Sequence, residues 1–166
     1  SWGYMSYQFL KSGIQVQGFE ISKQRAAYGN QNLALDIKTN TDDLAPGNDL
    51  FYSSHVIEHV PSISNMINEA KRLLKPDGFF VAECPNGSSA FRDKNKGKFH
   101  HGWGLVHPNY LSEKFYQHVF QKNPYYIGSS PFDLEVIRQW DGESQLTQDV
   151  SGGQLLVITK PNSMCR

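Results

Sequence analysis

One contiguous segment, residues 63–84, restricts the fold of this chain more than any other feature of its sequence. Its first part places apolar side chains along one stripe of a 3.6-residue helix, namely Ile63, Met66, Ile67, Ala70, Leu73 and Leu74. Pro76, Asp77 and Gly78 then stop the helix and turn the chain, because proline cannot continue a helix. Residues 78–84 form a nearly continuous apolar run, which is typical of a strand buried on both faces. This unit predicts an α/β fold with parallel strands joined by helices.

Predicted helices and strands also alternate through the rest of the first half of the chain, and the second half is more irregular. The expected elements are helices over 4–12, 23–28 and 111–121, and strands over 14–20, 33–37, 50–54, 132–140 and 154–159. Residues 86–108 are rich in Gly, Ser, Asn, Lys and His, which predicts a long loop. A loop of this length in a compact domain is usually functional or disordered. The last two strands predict a hairpin-like antiparallel addition to a parallel sheet.

Composition excludes several classes of protein. The 166 residues suffice for one ordinary domain, and an aromatic content of 13% argues against disorder. Sixteen Lys and Arg balance sixteen Asp and Glu, so the positive surplus typical of nucleic-acid binding is absent. No apolar run approaches the roughly 18 residues that span a bilayer, and Cys84 and Cys165 alone form no disulfide framework. We therefore expect a cytoplasmic protein that binds neither nucleic acid nor membrane.

Three segments, taken together and in order, carry a resemblance to a known family. They are VQGFEIS at 16–22, SSHVIEHV at 53–60 and AKRLLKPDGFF at 70–80. Their order and spacing resemble the class I S-adenosylmethionine-dependent methyltransferases. The resemblance implies a Rossmann-like α/β sheet that is mostly parallel, with an antiparallel C-terminal strand. It also implies one domain over 1–166, with a cofactor half (1–85) and an acceptor or lid half (86–166).

The beginning of the chain departs from the pattern of this family. The family opens with a strand that leads into a glycine-rich loop, and Ser1, Trp2 and Gly3 resemble only the end of that loop. We therefore expect an N-terminally truncated chain that lacks the first strand of the sheet. A sheet without that strand would expose unpaired edges, which predicts a possible homodimer through the exposed edge.

The resemblance implies S-adenosyl-L-methionine as the cofactor, and Gly3, Glu20 and Ile21 are candidates to bind it. Gly3 would let the backbone approach the methionine part of the cofactor, since any side chain would intrude. Glu20 ends a predicted strand, at the edge where open α/β sheets bind ligands, and its carboxylate can accept hydrogen bonds from the ribose hydroxyls. Ile21 would pack on the adenine. The alternative for Glu20 is a solvated acid at a strand end.

Four further residues complete the predicted cofactor site. Asp36 is expected near the end of the strand predicted over 33–37, where it would accept a hydrogen bond from the adenine amine. Asp42 or Asp43 could serve instead. Ser53, Ser54 and His55 would line the cofactor at the end of the next strand. The prediction requires Glu20 and residues 53–55 to face one shared crevice.

The segment around His55 also offers candidate metal ligands, although the sequence alone favours a site without metal. His55, Glu58 and His59 would share one side of a helix, and a subset of the family has a similar E-x-x-E-H pattern followed by a later histidine. Here the first position is His55 rather than Glu, and His107 would be the later histidine. Because metal-free relatives commonly share the E-H-V motif, our prediction contains no metal.

The acceptor is expected to be a small molecule, and His107 is the candidate catalytic residue. An imidazole can take a proton from a hydroxyl acceptor near neutral pH. The predicted function is methyl transfer from S-adenosyl-L-methionine to that acceptor. Two alternatives stay open: a non-catalytic methyltransferase-like fragment that cannot bind cofactor, and an NAD-dependent Rossmann oxidoreductase, in which Glu20 would also suit the ribose.

Overall fold

The computed structural model describes residues 2–97, 99–104 and 107–163, and at residues 100 and 102 it describes the backbone alone. The chain forms two compact units, Ser1–Pro46 and Gly47–Arg166. Ser1 and Cys165, which entered the predictions above, lie outside the described residues. Within the described part, no helix is long and apolar enough to cross a membrane.

The first unit contains two helices and two very short strands. Helix α1 spans Tyr4–Lys11 and α2 spans Lys23–Leu33, while β1 (Gly18–Phe19) and β2 (Ile37–Lys38) pair in parallel. A 3₁₀ turn follows at Thr41–Asp43. The strand predicted over 33–37 is wrong in most of its length, because Leu33 still belongs to α2 and the strand β2 begins only at Ile37.

Local signals explain where α2 begins and ends. The side chain of Ser22 caps its first turn by accepting a hydrogen bond from the backbone N–H of Arg25. At the other end, Ala34 takes a left-handed conformation with φ of 53°, which is uncommon for a residue with a side chain and stops the helix.

The second unit is built on a five-stranded mixed sheet. Its strands are β3 (Asn48–Ser54), β4 (Leu74–Pro85), β5 (Tyr125–Ser129), β6 (Gln145–Thr147) and β7 (Gln154–Thr159), in the order β3-β4-β7-β5-β6. The pairs β3–β4 and β5–β6 are parallel, whereas β7 runs antiparallel to both of its neighbours. The last of these strands along the chain therefore lies at the centre of the sheet.

Helices alternate with these strands along the chain, and two of them supply buried side chains to the core. They are α3 (Ile63–Leu73), α4 (Ser89–Lys94), α5 (Glu113–Val119) and α6 (Leu134–Gln139), and a 3₁₀ turn lies at Phe99–Gly102. Buried residues of the sheet and helices, such as Phe80, Ile127 and Val157, form one cluster together with Tyr116 of α5. The sequence predicted α3 closely because it carries a strong local pattern. The strand β4 begins earlier than expected, at Leu74, so the turn predicted at Pro76, Asp77 and Gly78 lies within this strand, where its register with β3 shifts.

Two predictions for the second unit are wrong. Residues 132–140 contain helix α6 rather than a strand, and Asp133 caps this helix by accepting hydrogen bonds from the N–H groups of Glu135 and Val136. The strand β7 is instead antiparallel to both β4 and β5, and the sequence analysis missed β5. The long loop expected over 86–108 contains α4 and the 3₁₀ turn at Phe99–Gly102.

Candidate active site

Gly3 stands at the start of α1 in a conformation that suits glycine. Its φ is 88°, in the left-handed region. A Cβ added there would approach Leu35 Cδ1 to 2.6 Å and Ile37 Cδ1 to 2.9 Å. A side chain at this position would therefore both strain the backbone and displace its neighbours.

Glu20 directly follows β1, and its carboxylate is largely shielded, with 8% of the residue exposed. Its Oε1 accepts a hydrogen bond of 2.9 Å from the backbone N–H of Ser22. Burial acts to raise the pKa of Glu20, but this hydrogen bond and nearby positive charge, including that of Arg25, outweigh it and leave the pKa below its ordinary value. Glu20 is therefore an ionised acceptor at neutral pH, and Ile21 beside it is 82% exposed.

Asp36 does not lie where the sequence placed it. It precedes β2, so it stands at the amino end of that strand, whereas Glu20 stands at the carboxyl end of the neighbouring β1. The register shows this directly, because the N–H of Gly18 donates to the carbonyl of Asp36 and that of Glu20 donates to the carbonyl of Lys38. The Asp36 carboxylate forms an ion pair of 2.7 Å with Lys38. Of the acids considered, Asp42 and Asp43 follow the carboxyl end of β2.

Ser53 and Ser54 end β3 beside β4, as predicted, and His55 directly follows this strand. Ser53 is buried, and its hydroxyl has no hydrogen-bond partner among the described residues. The Ser54 hydroxyl lies 3.3 Å from Glu83 Oε2 of β4, and the His55 N–H donates to the Glu83 carbonyl at 2.9 Å. His55 is exposed and has a φ of 52°, an uncommon left-handed value outside glycine.

The four residues of the possible metal motif come together, although they do not share a helix. Residues 56–59 form a turn, and within it Glu58 is completely buried. Its Oε1 lies 3.5 Å from His55 Nδ1, 3.6 Å from His59 Nε2 and 4.0 Å from His107 Nε2. The rings of His59 and His107 are 4.8 Å apart between centroids.

Asn109 fixes this arrangement and was missed by the sequence analysis. Its backbone N–H donates to the Glu58 carbonyl at 3.1 Å, and its side-chain amide donates to the Val60 carbonyl at 2.7 Å. Asn109 thereby ties the turn after β3 to the segment that carries His107. An isolated asparagine in a segment without clear periodicity carries no sequence signal that would reveal this role.

Aromatic side chains pack beside His107. The Trp103 ring lies 5.9 Å from the His107 ring and 4.6 Å from the Tyr110 ring, and Phe99 lies 5.4 Å from Tyr110. His107 is mostly shielded, with 18% of its side chain exposed. Within the second unit, a mostly shielded imidazole thus stands between an aromatic cluster and a buried acid.

Comparison with known proteins gives the family. The model of the family described as "Methyltransferase domain" matches residues 3–127 of this chain. None of the curated protein sequences matches it significantly.

Several solved structures share the fold at low sequence identity. A SAM dependent methyltransferase from Archaeoglobus fulgidus is 14% identical, with a TM-score of 0.65, and the match covers 95% of this chain and 81% of that one. The plantazolicin methyltransferase BamL, in complex with a triazolic desmethylPZN analog and SAH, is 15% identical with a TM-score of 0.63, over 96% and 74% of the two chains. A putative methyltransferase in complex with the Haloferax volcanii Trm112 activator is 16% identical with a TM-score of 0.62, over 95% and 77%.

The family match covers most of the chain, and these structures share its α/β architecture. The chain therefore belongs to the class I S-adenosylmethionine-dependent methyltransferases, whose methyl donor is S-adenosyl-L-methionine.

Proposed function

We propose that this chain transfers the methyl group of S-adenosyl-L-methionine to a small-molecule acceptor and releases S-adenosylhomocysteine. The observation that carries the proposal is Glu20, an ionised and shielded carboxylate at the carboxyl end of β1, where Rossmann sheets bind nucleosides. A carboxylate has several lone pairs, so Glu20 can accept from the ribose hydroxyls while it accepts from Ser22. The exposed side chain of Ile21 offers an apolar surface to the adenine.

Other residues of the first unit support the same cofactor. Gly3 stands at the start of α1, where no side chain caps the first backbone N–H groups, and these groups could donate to the methionine part of the cofactor. For the adenine amine we propose Asp42 rather than Asp36, because Asp42 follows the carboxyl end of β2 and Asp36 precedes that strand.

In the second unit, the end of β3 would line the cofactor. Ser54 and His55 would do so with their side chains, whereas the buried Ser53 would contribute its backbone. That these residues and Glu20 face one crevice stays a prediction.

His107 is the proposed catalytic base. It would take the proton of a hydroxyl acceptor while Glu58 stabilises the resulting imidazolium. The zero net charge supports a small molecule over a nucleic acid, and the structurally similar BamL is a plantazolicin methyltransferase. The absence of nucleic-acid binding, the homodimer, the cytoplasmic location and the single-domain organisation stay predictions.

Calorimetric titration with S-adenosylhomocysteine tests the proposal. We expect the chain to bind it, and the Glu20→Gln variant to bind about 10–100-fold more weakly, because a hydrogen bond to a charged group contributes about 1.5–3 kcal/mol. Glu135→Gln is the matched control, since Glu135 is an exposed acid on α6. Its affinity is expected to equal that of the unaltered chain.

The outcomes separate the competing interpretations. If the unaltered chain gives no heat with S-adenosylhomocysteine, the proposal fails and the non-catalytic alternative replaces it. Binding of NAD⁺ in its place would favour the oxidoreductase. Equal affinities for Glu20→Gln and the unaltered chain would remove Glu20 from the site.

A further inference from the structure

Glu58 presents an electrostatic problem that the proposed function does not solve. It is completely buried, and neither carboxylate oxygen has a hydrogen-bond partner among the described residues. Buried polar atoms are nearly always hydrogen-bonded, and an uncompensated buried carboxylate costs several kcal/mol. Its neighbours are three imidazole nitrogens at 3.5–4.0 Å, too far for good hydrogen bonds. The arrangement calls for a positive charge between these groups.

We propose that Glu58, His59 and His107 bind a divalent transition-metal ion of the Zn²⁺ type. Their ligand atoms all lie within 4.8 Å of one another. Ligands at about 2.1 Å from a shared tetrahedral ion are about 3.4 Å apart, so small side-chain rotations would close the shell. A bound ion would also neutralise the charge of Glu58.

The donor atoms indicate which class of metal fits. Two imidazoles and one carboxylate form a ligand set found in catalytic zinc sites and in non-heme iron sites. Mg²⁺ and Ca²⁺ prefer oxygen ligands throughout and are therefore disfavoured. Three protein ligands leave a coordination position open to water or to an oxygen atom of the acceptor.

The backbone holds the ligands in place without the metal. Asn109 bonds the ligand-bearing turn at the carbonyls of Glu58 and Val60. The N–H of His59 donates to the Val56 carbonyl at 2.9 Å and closes that turn. The site is thus largely preformed, which reduces the cost of ordering it on binding.

The inference deepens the proposed function and rests on it for one consequence. A cation lowers the pKa of a hydroxyl that it binds, which would make the acceptor oxygen a better nucleophile. A His107 nitrogen that ligates the metal accepts no proton, so His107 would then serve as a ligand rather than as the base. The proton of the metal-bound hydroxyl would pass to solvent. The proposal also replaces our expectation from sequence of a metal-free site.

Metal titration of the chain, after treatment with EDTA and dialysis, tests the proposal. We expect one equivalent of Zn²⁺ to bind by calorimetry and one of Co²⁺ to give visible absorption bands of mixed nitrogen and oxygen coordination. His59→Ala and His107→Ala should each weaken Zn²⁺ binding at least about 100-fold, as should Glu58→Gln. His118→Ala is the matched control, because His118 is an exposed histidine of α5 outside the cluster, and its affinity should change less than about twofold.

His59 is the decisive position because 44% of its side chain is exposed, so its removal should leave the fold intact even if Glu58→Gln unfolds. The absence of stoichiometric metal uptake, or unchanged Zn²⁺ affinity in His59→Ala, would overturn the proposal. Zn²⁺ binding requires no cofactor, so this result is distinguishable from the outcome of the S-adenosylhomocysteine titration.

Discussion

The two compact units differ sharply in how much of their surface they bury. Every member of the main buried cluster, from Ile57 to Val157, belongs to the second unit. In the first unit, α1 has no buried residue, and Tyr4 and Met5 are 66% and 45% exposed. His55, His59 and His107 therefore belong to the unit with a packed five-stranded sheet, whereas Glu20 follows a two-residue strand. Substitutions should affect stability in the second unit far more than in the first.

The largest expected difference is between a core residue of the sheet and an exposed residue of α1. Phe80 is completely buried and packs against Phe51 and Phe120, at 5.7 and 6.0 Å between ring centroids. Phe80→Ala should lower the free energy of unfolding by about 3–5 kcal/mol, through lost burial and a residual cavity. Met5→Ala should change it by less than about 0.5 kcal/mol. Urea denaturation followed by circular dichroism measures both.

Similar effects of these two substitutions would show that α1 is packed as tightly as the sheet. The comparison between the units would then fail. An unchanged denaturation midpoint for Phe80→Ala would contradict the core assignment itself.

A smaller effect is expected from close backbone contacts. A Cβ at Gly152 would collide with the carbonyl oxygen of Ser130, and backbone atoms yield only at a cost. Gly152→Ala should therefore lower the free energy of unfolding by about 1–3 kcal/mol. Gly97→Ala is the matched control, because a Cβ there meets no atom within 4 Å.

Gly29→Ala is the corresponding test in the first unit. The new Cβ would mainly meet Cδ1 of Ile37, the end of a flexible side chain, and alanine favours the helix interior by about 1 kcal/mol over glycine. Thermal denaturation should show a smaller loss for Gly29→Ala than for Gly152→Ala. The reverse order would mean that the first unit is the more tightly packed one.

The smallest expected effect is the pH dependence caused by Cys84. Burial raises the pKa of its thiol from 9.0 to about 12, and the Tyr116 hydroxyl lies 3.5 Å away. Because the folded state retains the proton, the stabilisation is complete below the unfolded pKa and is lost as the pH rises towards 12. Between pH 9 and pH 10, the loss should be about 1 kcal/mol.

The matched variant is Cys84→Ala, which removes this titration and keeps all other ionisable side chains. Urea denaturation at several pH values should give a shallower decline above pH 9 for the variant than for the unaltered chain. Parallel declines would show that Cys84 titrates in the folded state much as it does in the unfolded state.

The sequence predicted those parts of the fold that local patterns determine. The stripe of α3 and the apolar run of β4 are strong signals of different period, so both elements were found. A strand was predicted over 132–140 because apolar residues alternate there. The segment forms helix α6 instead, and the side chain of Asp133 caps this helix. Strand β5 was missed because a short run buried on both faces has no alternation.

The candidate site was predictable in its motifs but not in its contacts. Family resemblance singled out Glu20, Glu58 and His107, although their sequence positions carry no information about burial. Glu58 is completely buried and its carbonyl accepts a hydrogen bond from Asn109, which is distant in sequence, so these are tertiary properties. Asp36 was misplaced because the strand begins at Ile37 and not at residue 33 as predicted. A boundary error of a few residues moves Asp36 from the carboxyl end of the strand to its amino end.

The central position of β7 has a consequence for synthesis on the ribosome. The pairs β3–β4 and β5–β6 leave the ribosome before the strand that joins them. Until Gln154–Thr159 emerges, the facing edges of β4 and β5 have no partner in the nascent chain, and open strand edges promote association with other chains. Cotranslational folding of this unit should therefore end in one late step, and chaperone protection would matter most just before that step.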